Sequence, residues 1–187
     1  MRKLLNHAAL KEWASVISAL QTGEQILLLR KGGIADTSFT LESREFYLFP
    51  TYLHQKEKQF KSEGRHHFVE NNMDAEPTEV TISSWAEVVD SWTIPHIDIL
   101  GRLEPLFIFT HDTLEERFRF RSNQQLRLVA LRVWQLQSPV VVRNRPEYAG
   151  CRSWISLDDE IDVSSSSPAL EESELRARVA EVASLLA

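Results

Sequence analysis

Residues 126–142 read LRLVALRVWQLQSPVVV, and the fold turns on this stretch. From Leu126 to Gln137 it is rich in Leu and Val, side chains that pack well on a pleated, buried surface. We read it as the central strand of a sheet. Pro139 cannot donate to a ladder, so it marks a bend before a continuation at Val140–Val142. Beyond it, Arg143–Gly150 reads as loop and Cys151–Leu157 as one more strand. Ser164–Ser167 reads as a polar linker into a helix whose Leu175, Val179, Val182 and Leu186 recur at helical spacing.

Working towards the N-terminus, a cap at Asn6 and apolar Leu10, Trp13, Ile17 and Leu20 predict a helix over 7–21 that Gly23 ends. Ile26–Arg30 is a short buried strand, Gly32-Gly33 a turn, and Phe39, Leu41, Phe46 and Leu48 alternate as in hairpin strands. Thr51–Lys61 reads as a polar helical turn and 62–77 as a loop. Thr78–Thr93 reads as a strand interrupted near Ser83-Ser84, and Pro95 starts a short helix through Leu103. Phe107–Phe109 reads as a short strand, and Thr110 or Asp112 caps a helix ending near Phe118. The fold class expected is α+β, a mixed, mainly antiparallel sheet with an N-terminal helix, a few short helices and a C-terminal helix. The main domain is placed at 1–162, with the Ser-rich linker and C-terminal helix at 163–187.

The bulk numbers fit. A chain of 187 residues, 43% hydrophobic and 26% charged, with five Trp and nine Phe, can fill one core. Its single cysteine, Cys151, cannot form an internal disulfide, and the apolar start is broken by Asn6, His7, Lys11 and Glu12, so a cytoplasmic setting is expected. No apolar run approaches the roughly 20 residues a bilayer-spanning helix needs. Charge is polarised: Arg117 to Arg152 holds eight arginines, no lysine and one acid, Glu147, a net of +7 that leaves −13 for the rest of a chain totalling −6. Much of the negative remainder lies between Asp158 and Glu174.

The arginines carry the main functional expectation. Arg117, Arg119 and Arg121 alternate with Phe118 and Phe120, which in an extended chain aims three guanidinium groups at one face. Arg132, Arg143, Arg145 and Arg152 extend the band, with Tyr148 available to stack on a base. The plain alternative is that these cations pair with the acidic C-terminal segment. Arg30 and Lys31 precede Gly32-Gly33 at a strand end, where backbone can approach an anion closely, but a hairpin turn explains the glycines equally. His54 follows a strand and is the one candidate acid or base for catalysis. His66-His67 and His111-Asp112 invite a metal, but adjacent histidines rarely share one ion and no HExxH or paired DxD is present, so no metal site is expected. Cys151 beside Arg152 can have an activated thiol or be a strand cysteine.

Arg30-Lys31-Gly32-Gly33-Ile34, Phe49-Pro50-Thr51-Tyr52 with His54-Gln55, Arg132-Val133, and Gly150-Cys151-Arg152-Ser153-Trp154 together resemble the bacterial domain-of-unknown-function family 1802, common in cyanobacteria. The likeness runs from about Ala9 to Leu157. The family has no established activity, and the resemblance implies a link to restriction-modification genes. Ala35-Asp36-Thr37-Ser38 lacks the glycine-rich approach of the family.

The preferred reading is a nucleic-acid- or nucleotide-associated module whose arginines contact phosphate, with no cofactor identified. The alternative is a small-molecule hydrolase or transferase in which His54, Arg30 and Arg152 converge in one pocket. A third is an interaction module, self-associating through the C-terminal helix or a patch rimmed by Trp85 and Trp92.

Overall fold

A computed structural model describes residues 2–4, 6–31, 41–70, 74–120, 125–150 and 152–187. The fold is α+β, and among the described residues one mixed sheet holds seven strands. They are β1 (Ala8–Trp13), β2 (Leu27–Arg30), β3 (Glu45–Thr51), β4 (Glu79–Ile94), β5 (Leu126–Arg143), β6 (Trp154–Ser156) and β7 (Ser166–Pro168). The order is β2-β5-β4-β3-β1-β6, with β7 added to β5; only β1 and β3 run parallel. The helices are α1 (Ala14–Thr22), α2 (Ile99–Leu103), α3 (His111–Arg119) and α4 (Glu172–Leu186).

The stretch at 126–142 is the spine, as expected. β5 runs 18 residues without a break and pairs with β4, β2 and β7. Drawn straight, such a strand would span roughly 60 Å. It bends instead, because register shifts between Ile82 and Ser84 and between Val88 and Asp90 put extra residues into one strand, which kinks and twists the ladder. At the first, the extra residues lie on β5 around Pro139, where a bend was expected, while β4 runs unbroken through Ser83-Ser84, so the interruption expected there is corrected. One apolar cluster, with Leu27, Leu128, Ala130 and Phe46, packs under α1, α2 and α4; a second, with Trp85, Phe49 and Ile82, faces the N-terminal segment and residues 148–163.

Several local expectations are corrected. Ala8–Trp13 is strand, not helix: lying between β3 and β6, it gains ladder bonds on both edges, which outweighs a weak helical preference. Asn6 caps nothing; its side chain accepts from the Ala8 N–H and donates to Ser43. The rest of the stripe is α1, closed by Gly23 in the left-handed region (φ 76°), where its N–H reaches Leu20 O. β2 does not form a hairpin with β3, because β5 and β4 lie between them. Leu41 lies outside any strand, and Gly32-Gly33 and Phe39 lie outside the described residues. Ser62–His67, read as loop, is a 3-10 turn with Gly64 and His67 buried. Phe107–Phe109 makes an isolated bridge, Phe109 to Phe60, rather than a strand. The serine segment contributes β7, and Leu175 and Val182 of α4 are buried in the core. Trp85, 1% exposed, cannot rim a surface patch. No helix among the described residues is long and apolar enough to cross a membrane.

Candidate functional site

The bend of β5 creates the site. Leu126 at its start and Asn144-Arg145 just past its end line the same cleft, of about 990 Å³, so the curled sheet brings both ends of one strand together. The ends of β1, β2 and β3, the segments before β4 and β6, and α3 complete the walls. Among the described residues, six lining cations (Lys11, Arg30, Lys31, Arg117, Arg145, Arg152) face four lining acids (Glu12, Asp74, Glu76, Glu116), an excess of positive charge in a chain of net charge −6.

On one wall, Glu12 at the end of β1 is 4% exposed and meets Arg30 at the end of β2, Nη1 to Oε2 2.9 Å. Arg30 also donates to Lys11 O, and Glu12 Oε1 accepts from the Trp13 N–H. Arg117 projects from α3 beside this pair. Its guanidinium carbon lies 4.4 Å from the Trp13 ring centroid and 4.5 Å from that of Phe109, a cation layered on two aromatic rings. Its Nε is sealed from solvent and has no hydrogen-bond partner among the described residues. Burial lowers the pKa of Arg117 from its ordinary value; Glu12 opposes the shift and Arg30 adds to it.

Around the rim, Lys11 donates to Tyr148 O and Gly150 O, and Lys31 donates to Phe118 O and Phe120 O, satisfying carbonyls at the end of α3. Burial lowers the Lys31 pKa. The Glu76 carboxylate accepts from the Tyr52 and Leu53 N–H groups and so holds the turn that presents His54. His54 has φ 68°, the one positive-φ residue other than glycine among the described residues. Phe49 and Tyr148 pack edge to face, 5.8 Å apart, below the opposite rim.

The cleft therefore gathers His54, Arg30, Lys31, Arg117, Arg145 and Arg152. The extended arginine face does not exist in the described part of that run, since Arg117 and Arg119 lie on α3 and Arg121 is outside the described residues. A helix rotates successive residues by about 100°, so Arg117 enters the cleft while exposed Arg119 pairs with Glu115 at 2.9 Å. Arg132 pairs with Glu87 and Glu172, and Arg145 with Asp158, so the acidic C-terminal segment does claim part of the band. Arg143 is exposed at the end of β5, in register with Glu79, and does not line the cleft. Cys151 lies outside the described residues. Sequence reasoning missed Glu12, Trp13 and Glu76. Glu12 looked like the polar face of a helix, and nothing local marks it as buried.

A family model described as a domain of unknown function, DUF1802, matches residues 9–181, extending past Leu157 into α4. No curated protein matches the chain. The crystal structure of a ZmASCH mutant protein from Zymomonas mobilis is similar at a TM-score of 0.46 and 11% identity, covering 92% of this chain and 96% of that one.

Proposed function

The chain belongs to the domain-of-unknown-function family DUF1802, and from its cleft we propose that it binds a nucleotide unit, free or within a single-stranded nucleic acid. One observation carries this reading: Arg117 holds a half-buried guanidinium on two aromatic rings in the wall of a large cleft, its Nε without a partner among the described residues. Partly withdrawn from water on its two rings, the guanidinium attracts an anion in the cleft more strongly than a fully solvated cation would. Guanidinium geometry suits a phosphate, and apolar walls such as Leu29, Leu53 and Phe120 suit a base or sugar.

The test is fluorescence anisotropy with labelled single- and double-stranded oligonucleotides at low and moderate salt, competed with mononucleotides. Salt-sensitive binding is expected, weakened about tenfold or more by Arg117→Ala or Arg152→Glu and unchanged by Arg119→Glu. Competition by mononucleotide marks a free nucleotide as sufficient; its absence points to the strand. No binding of any probe at low salt sinks the proposal.

A second reading, hydrolysis or group transfer in the same cleft, is favoured by the strained backbone at His54, since such conformations concentrate at functional sites. It expects His54→Asn, which tolerates the same φ, to keep nucleotide affinity and abolish turnover of phosphate esters. Identical turnover in the variant and the parent refutes it.

A further inference from the structure

Away from the cleft, Glu24 lies just past the end of α1 and meets His66 and His67, the last two residues of the 3-10 turn. Glu24 Oε1 is 3.1 Å from His66 Nε2, and Oε2 is 3.0 Å from His67 Nε2. One ligand atom from each residue falls within 4.8 Å of the others, and none of the three lines the cleft. We infer that Glu24, His66 and His67 form a binding site for a divalent transition metal of the zinc class, with three protein ligands and an open fourth position.

Three observations support it. First, His67 is 2% exposed, and its Nε2, though 3.0 Å from a carboxylate oxygen, has no hydrogen-bond partner. The two atoms are close without hydrogen-bond alignment, a spacing that a shared cation would bridge. Second, His67 Nδ1 sits 2.9 Å from Ser18 Oγ on α1. With that hydroxyl accepting from Nδ1–H, the Nε2 lone pair faces Glu24. Between that lone pair and the carboxylate either a proton or a metal ion must sit, and His67 and His66 both lower the Glu24 pKa, keeping it an anionic ligand; a hydrogen-bonded distal nitrogen is the usual device for orienting a metal-binding imidazole.

Third, the local backbone is built to deliver these ligands. Gly23, at φ 76°, turns the chain off the helix so that Glu24 leaves towards the turn. Gly64 lets the turn press against Ile108; a Cβ there would come within 2.8 Å of Ile108 Cβ and 2.9 Å of its carbonyl oxygen. Just past His67, the Val69 N–H donates to Ser15 Oγ and Val69 O accepts from Gln55 Nε2. Neighbouring ligand atoms on tetrahedral zinc stand about 3.4 Å apart, so the contacts at 3.1 and 3.0 Å need open slightly and the widest separation, within 4.8 Å, need close by at most about 1.4 Å, through movement of exposed Glu24 and His66 around fixed His67. Adjacent histidines rarely share an ion when their rings diverge; here their centroids are 4.0 Å apart. The donor set of two imidazoles and a carboxylate suits zinc rather than calcium or magnesium.

The experiment is calorimetric titration of Zn²⁺ into tag-free, chelator-dialysed full-length protein, with thermal melts run with and without the ion. One equivalent should bind and raise the melting midpoint. Glu24→Gln and His66→Ala, at exposed positions that leave the core intact, should each lower the affinity at least tenfold and erase the rise, while His111→Ala, which removes the exposed His111–Glu115 pair, should change neither. Melts of the metal-free variants matching the parent separate loss of a ligand from loss of fold. Absence of bound Zn²⁺ in the parent, or an affinity unmoved by both ligand variants, overturns the inference.

Discussion

Arg117 and Arg119 stand two residues apart on one helix and meet opposite fates. Arg117 is layered on Trp13 and Phe109 beside the buried Glu12–Arg30 pair; Arg119 points into solvent, its side chain 69% exposed, against Glu115 one turn away. A band of like charge in the sequence therefore says little about a band in space. Desolvation decides what each cation can do: in the cleft it strengthens attraction to an incoming anion, and at the surface water and salt screen it.

The sharpest way to break this contrast is to remove the acid that both inner arginines face. Glu12→Ala strips Arg30 and Arg117 of the buried carboxylate they face, so a loss of about 3–5 kcal/mol is expected by urea denaturation. A loss below 1 kcal/mol would mean that the site is far wetter than its geometry indicates. Arg117→Ala should cost less, about 1–2 kcal/mol, because it removes aromatic contacts rather than stranding a charge. Its larger effect should be on ligand affinity.

The central strand was legible because its apolar run is long and local. The N-terminal half of the first stripe was not, since Ala8–Trp13 becomes strand only through pairing with residues about 40 and 145 positions away. Glu12 was lost with it: an acid among alternating apolar residues looks solvated until the chain beside it is known. Arg117 was closer to hand. Thr110, whose hydroxyl accepts from the Thr113 N–H, was already a visible helix start, and a helix from there excludes the extended reading of Arg117 and Arg119. At His66-His67, pairwise sequence reasoning saw two neighbours with no third ligand; Glu24 comes from the far side of β2, β3 and the turn.

The weakest effects belong to the outer arginines, and they complete the comparison. Arg132 bridges Glu87 on β4 and Glu172 on α4 with its side chain 28% exposed, so it joins α4 to the sheet as well as balancing charge. Arg132→Ala should lower the melting midpoint by no more than about 2–4 °C, and less in high salt. Arg119→Ala breaks only an exposed pair one helical turn apart, for which about 0.3–0.5 kcal/mol is expected, with ligand affinity unchanged. Were Arg119→Ala instead to weaken oligonucleotide binding as much as Arg117→Ala does, the distinction between buried and exposed cations would fail, and the ligand would have to run along the outer face of α3.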